Sequence, residues 1–193
     1  MKNILIISPA AIRKNMSGPS IRYWEISKQL SVNNNVTLLV PNDDSLVNQE
    51  ITIKRITVTN LIKSLKICDV VLLQGLTLWK YPFIKYFDKA IGIDLYDPFH
   101  LENLEGLDSS LASKIKYLTT VTVVKEQLNR GDFFYCASEK QKDYWLGMLS
   151  DQKINPALYH KINKNISSLI GIVPFGIPNE SPKKGSQALK GKY

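Results

Sequence analysis

The chain is poor in cysteine: 193 residues hold only Cys68 and Cys136, far apart and without C-x-x-C or metal-ligand spacing. That excludes a disulfide framework and a zinc ribbon, and it leaves two buried free thiols as the reading. Histidine is equally scarce. His100 and His160 stand sixty residues apart, which argues against a histidine-based metal centre. No run of about 18 apolar residues occurs, so no segment reads as a membrane-spanning helix. The apolar stretch after Met1-Lys2 breaks at Ser8-Pro9, short of the roughly 7–15 apolar residues of a signal peptide core, so a cytoplasmic chain is expected. Three familiar motifs are also missing. There is no G-x-G-x-x-G, no G-x-x-x-x-G-K-[ST] and no G-x-S-x-G, which removes the dinucleotide fingerprint, the nucleoside-triphosphate P-loop and the hydrolase elbow.

What is present is an alternation of strand-length apolar runs with helical-period segments, the pattern of a parallel βαβ sheet. Strands are expected at 3–8, 36–40, 51–58, 69–73, 90–94, 132–136 and 168–173. Most are nearly continuous apolar runs, as strands covered on both faces should be. The 51–58 run alternates more and reads as an edge strand. Helices are expected at 19–31, 60–66, 76–88 (with Pro82 as a limit), 108–129 and 138–149. In the first of them Tyr23, Ile26 and Leu30 share a face, with Arg22, Glu25 and Lys28 elsewhere. The 108–129 segment has helical period at Leu111, Ile115 and Leu118, although Thr119–Val124 is β-branched and disfavours a helix. The fold class is therefore α/β: a Rossmann-like open parallel sheet with helices on both faces. One domain spans 1–178, and 179–193 has the composition of a linker or tail.

The formal net charge of +8 admits four explanations: nucleic acid, an anionic membrane surface, a nucleotide diphosphate, or solubility alone. Scattered lysines and the lack of any nucleic-acid-binding motif argue against the first. Part of the charge belongs to Lys183, Lys184, Lys190 and Lys192 in the tail. Tyr81, Phe83, Tyr86 and Phe87, with Lys80 and Lys85, are read as core or as a membrane-facing aromatic and basic surface.

Three places could carry chemistry. The loop after the first strand contains Arg13, Lys14, Ser17, Gly18 and Ser20 and runs into a proline-started helix. Free amides and the positive helix end make such a corner an anion site, with an ordinary helix-start turn as the alternative. Asp94, Tyr96, Asp97 and His100 follow the fifth strand, where an open sheet binds ligands. They could orient sugar hydroxyls or form a solvated turn. Ser138 and Glu139 follow the sixth strand, with Ser138 and Gln141 in a capping-box pattern.

Taken together, Ile4–Leu30, Asp94–Glu102, Arg130–Leu149 with its Tyr144-Trp145-Leu146-Gly147 core, and Ile172-Val173-Pro174-Phe175-Gly176-Ile177-Pro178 resemble the N-terminal half of group 1 (family 4) glycosyltransferases. The resemblance covers residues 1–182 and implies one lobe of a GT-B fold. It implies that Ser17, Gly18 and Ser20, with Arg13 and Lys14, approach the diphosphate of a nucleotide-sugar donor, and that Asp94, Tyr96, Asp97, His100, Ser138 and Glu139 lie on the acceptor or sugar side. His100 and Asp97 are the candidates for a catalytic contact, although the family often places its histidine earlier, where Asp94 stands here. No metal and no cofactor is implied beyond the donor substrate. The donor-binding lobe with its paired glutamates would come from a C-terminal domain or a separate subunit, since E-x7-E does not occur after residue 178. The expectation is therefore a retaining transferase acting on a glycan or lipid-linked acceptor, cytoplasmic and peripheral at the inner membrane face. These 193 residues alone should show no turnover and weak or no donor binding. The alternatives are a non-catalytic α/β module that complements a catalytic subunit, and a flavodoxin-like nucleotide sensor.

Overall fold

The computed structural model describes residues 1–43, 46–176 and Ser181. The linker expected over 179–193, and Ile177 and Pro178 before it, thus lie outside the described residues, Ser181 apart. Seven parallel strands form one sheet in the order β3-β2-β1-β4-β5-β6-β7. They are β1 (Asn3–Ile7), β2 (Asn35–Val40), β3 (Ile51–Arg55), β4 (Val70–Gln74), β5 (Ala90–Asp94), β6 (Phe133–Cys136) and β7 (Ile170–Ile172). All seven coincide with the apolar runs of the sequence, and β3, the alternating one, is at an edge. The fold is the expected Rossmann-like α/β architecture.

Strand pleating sends neighbouring side chains to opposite faces, and both faces are filled. Leu5, Ile7, Leu39, Val71, Leu73, Ile91, Ile93 and Phe134 belong to one core. Ile4, Ile6, Val36, Leu38, Leu72 and Tyr135 belong to the other. The first core is closed by α2 (Val58–Ile67) through Leu61 and Leu65, by α5 (Leu111–Arg130) through Val124 and Leu128, and by α6 (Glu139–Gln152) through Trp145 and Leu149. The second is closed by α1 (Gly18–Ser31) through Tyr23 and Trp24.

Some expectations change in detail and one holds against its propensities. The 76–88 helix breaks at Pro82 into the short α3 (Thr77–Lys80) and a 3-10 turn at Pro82–Tyr86. Tyr81, Phe83 and Phe87 pack against the core, and Tyr86 alone of the four aromatics is exposed. The Thr119–Val124 stretch is helical, as expected over 108–129: Val123 and Val124 are buried against the core, and the Thr119, Thr120 and Thr122 hydroxyls donate to the carbonyls of Ile115, Lys116 and Leu118 one turn back. Two short helices carry no periodicity in the sequence: α4 (Phe99–Glu102), continued by a 3-10 turn at Asn103–Gly106, and α7 (Pro156–Lys161).

The strand order reverses between β1 and β4. From β1 the chain builds outward to β2 and β3, then returns beside β1 to build β4 through β7. The crevice beyond the carboxyl ends of these two strands is the switch point at which such sheets hold ligands.

Candidate functional site

The loop from β1 delivers the start of α1 to that crevice. Ser17 is the N-cap in extended conformation but makes no capping hydrogen bond through its side chain. Its hydroxyl pairs instead with that of Ser20 at 2.9 Å. Pro19 has no N–H to satisfy. Gly18 is exposed and lacks a positive φ, and a Cβ built on it meets nothing within 4 Å. Neither backbone conformation nor packing therefore calls for glycine here. Arg13, Lys14 and Ser17 are exposed and Ser20 is buried. Of the first amides of α1, Pro19 has none, Ser20 is buried and Ile21 donates to the Ser17 carbonyl, which leaves the exposed Gly18 at the positive end of the helix dipole.

The strand tips beside it are arranged differently. Arg22, read as lying off the Tyr23, Ile26 and Leu30 face of α1, is only 3 % exposed. Its Nε and Nη2 donate to the two carboxylate oxygens of Asp94, at 2.7 and 3.1 Å, and its Nη1 donates to the Val173 carbonyl at 2.6 Å. The rings of Tyr96, Tyr135 and Phe175 surround the guanidinium at 5.2–5.7 Å, and Tyr96 meets Phe175 edge to face. Burial pushes the Asp94 carboxyl up to about 6 against the pull of Arg22. The guanidinium loses solvation too, but the hydrogen bond and charge of Asp94 outweigh that and hold it more firmly protonated than usual. At neutral pH the pair is ionised and bidentate. Asp94, expected to contact sugar, is therefore committed to Arg22. A charged side chain at the tip of a buried strand needs a partner, and Arg22 is within reach.

Asp97 remains half-buried, accepting from Gln74 Nε2 at 3.0 Å. Burial raises its carboxyl above the ordinary value despite that bond. Gln74, at the tip of β4, is buried and its Oε1 has no partner. His100 also departs from its expected role. Its ring is enclosed by Phe99, Tyr144 and Trp145, and its Nε2 pairs with the Tyr144 hydroxyl at 2.7 Å. Its Nδ1 is buried without a partner, and burial lowers its pKa. It contacts protein rather than the crevice, because α4 turns it under the aromatic residues of α6.

Ser138 is the N-cap of α6 and accepts from the Gln141 amide at 3.3 Å, as the capping pattern requires. Glu139 is exposed in the first turn. Gln141 goes further than a capping box: it accepts from the Ala137 amide and donates to the Tyr96 carbonyl, tying α6 to the loop after β5. Among the described residues no three His, Cys, Asp or Glu side chains converge as a metal site would require, and no helix is long and apolar enough to cross a membrane.

The structure thus gathers Ser17, Gly18, Ser20, Asp94, Tyr96 and Asp97 at the carboxyl edge and withdraws His100 behind them. Sequence reasoning missed Arg22 and Gln74. The signal for Arg22 was the charge balance: Asp94 at the end of an apolar strand demands a cation. No protein-family model matches the chain, and no curated protein matches it.

Proposed function

We propose that the chain is the acceptor-side lobe of a nucleotide-sugar-dependent glycosyltransferase of the GT-B kind. It would act with retention on a glycan or lipid-linked acceptor, together with a donor-binding lobe from a further domain or a separate subunit. The observation that carries the reading is Gly18. A glycine that neither φ nor packing requires, at an uncapped helix start on the switch point, is suited to let a ligand's phosphate reach the backbone.

In this reading the Gly18 amide and the dipole of α1 stabilise charge on the departing diphosphate, with Lys14 and Arg13 adding positive potential. Asp97 accepts a hydrogen bond from a sugar hydroxyl, and Gln74 fixes its orientation. The Arg22–Asp94 pair holds the corner in shape rather than touching substrate. Exposed Leu76, Trp79, Val173 and Phe175 lie around the same edge, as a surface meant to be covered by a second lobe would. The net charge of +8 suits a cytoplasmic seat against an anionic membrane face.

A second reading, a non-catalytic module that complements a catalytic subunit, is favoured by one observation. The polar groups best placed for chemistry, Asp94 and His100, are engaged inside the protein.

Saturation-transfer NMR with nucleoside diphosphates, nucleotide sugars, mononucleotides and free sugars distinguishes these readings. Weak signals from the diphosphate-bearing ligands alone support the transferase lobe. Silence from every ligand favours the module, and tight binding of a mononucleotide overturns both.

A further inference from the structure

Helix α2 covers only part of the sheet face on which it packs. Leu5, Thr37 and Thr52 stand in one row across β1, β2 and β3, and Asn3 and Asn35 form the next row toward the amino ends of the strands. Residues two apart on a strand share a face, so both rows lie on the side covered by Leu61 and Leu65. Between these rows and the last turns of α2 is a cavity of about 350 Å³, at the sheet edge opposite Gly18. Its size falls at the lower end of small-molecule pockets, roughly 300–1,000 Å³.

The polar groups that line the cavity are not used up within the protein. Ser64, on α2, is only 4 % exposed, yet its hydroxyl has no partner among the described residues. Ser27 shows the usual arrangement in a helix, its hydroxyl donating to the carbonyl one turn back. Ser64 lines the cavity, so a partner for its hydroxyl must come from there. The Thr37 and Thr52 hydroxyls also lack partners among the described residues. Asn35 Nδ2 donates to Asn3 Oδ1 at 3.1 Å, which leaves Asn3 Nδ2 as a donor and Asn35 Oδ1 as an acceptor.

This set selects the ligand's chemistry. Three hydroxyls that donate or accept, one further donor and one further acceptor match ligand groups that also do both. Hydroxyls do. An ammonium group only donates, and a carboxylate or fully ionised phosphate only accepts. Anions are disfavoured twice over. Glu50 is the one charged side chain that lines the cavity, and α1 and α2 end at its rim with their negative poles. A wholly apolar ligand would leave the Ser64 hydroxyl unpaired out of water. Leu5 and Ile67 supply apolar contact for the carbon skeleton. Burial pushes the neighbouring Cys68 thiol up to about 11, so the cavity contains no thiolate nucleophile.

We propose that this cavity binds a small uncharged polyol of about the size of a monosaccharide. The proposal does not depend on the glycosyltransferase reading, whose diphosphate corner lies at the other edge of the sheet.

Amide shift mapping of the isotope-labelled chain, titrated in turn with myo-inositol, glucose, putrescine and inorganic phosphate, tests it. Saturable shifts at Asn3, Asn35, Thr37, Thr52 and Ser64 are expected with myo-inositol or glucose, and not with putrescine or phosphate. Removing one hydroxyl in Ser64→Ala or Thr37→Val should raise the polyol dissociation constant about three- to tenfold, as loss of one hydrogen bond does. Lys63→Ala, exposed on α2 and outside the cavity, should leave it unchanged. Circular dichroism checks that the variants fold, and the wild-type map decides by itself where one does not. Free-sugar signals that weaken in the hydroxyl variants arise here and not at Gly18, which keeps the two sites distinguishable. No polyol shifts at these amides, the same shifts with putrescine or phosphate, or undiminished affinity in both hydroxyl variants would each overturn the proposal.

Discussion

Arg22 and Asp94, 72 residues apart in sequence, form a buried bidentate ion pair that joins the first helix to the tip of the fifth strand. The third arm of the guanidinium holds the Val173 carbonyl, where the chain leaves β7. One side chain thus ties together three segments of the carboxyl edge.

Removing either member alone leaves an unpaired charge out of water. Arg22→Ala and Asp94→Ala should each cost about 3–5 kcal/mol, whereas replacing both with apolar residues (Arg22→Met, Asp94→Leu) should cost less than the larger single loss. Urea unfolding of the four proteins measures this. Additive losses would show that the two side chains do not act as a pair.

His100 makes a pH prediction whose sign is fixed by its burial. Its imidazole is held below the ordinary value, so the unfolded chain takes up a proton near pH 6.5 before the folded one does. Stability from this residue is present above that pH and is lost as the pH falls through it and through the depressed native value. Asp94 acts oppositely, because a carboxyl raised to about 6 lets the folded state bind the extra proton. The difference between the wild type and His100→Phe isolates the histidine: between pH 7 and 5 the wild type should lose stability relative to the variant. Parallel curves would contradict this.

Two glycines should respond in opposite ways. A Cβ on Gly92 would lie 2.4 Å from Phe133 and 2.6 Å from Leu72. Gly92→Ala should therefore destabilise the sheet by about 1–3 kcal/mol. Gly18→Ala meets open space and should leave stability within about 0.5 kcal/mol of the wild type. In the proposed function it nonetheless weakens diphosphate binding severalfold. Thermal unfolding combined with ligand titration separates the two effects.

Most of the sheet was legible because buried parallel strands are written as uninterrupted apolar runs, and β3 was marked as an edge by its alternation. The face that α1 buries was harder to read. Tyr23, Ile26 and Leu30 do pack in the second core, but Ser20, Arg22, Trp24 and Ser27 are buried with them, and polarity alone did not mark those four. Helix α7 carried a readable start, with Asn155 as N-cap and Pro156 in the first turn, that apolar periodicity alone overlooks. The Gly18 loop could be located from its place between strand and helix. The engagement of Asp94 by Arg22, and of His100 by Tyr144, could not, because each depends on which distant segments the topology brings together.

The central claim is that the open start of α1 receives a diphosphate. Chemical-shift mapping of the isotope-labelled chain, titrated with a nucleoside diphosphate into the tens of millimolar, tests it most directly. The account predicts saturable shifts centred on the Gly18 amide and absent in Gly18→Asp. Unmoved amides at that corner, or shifts centred on the opposite edge of the sheet around Asn3 and Asn35, would contradict it.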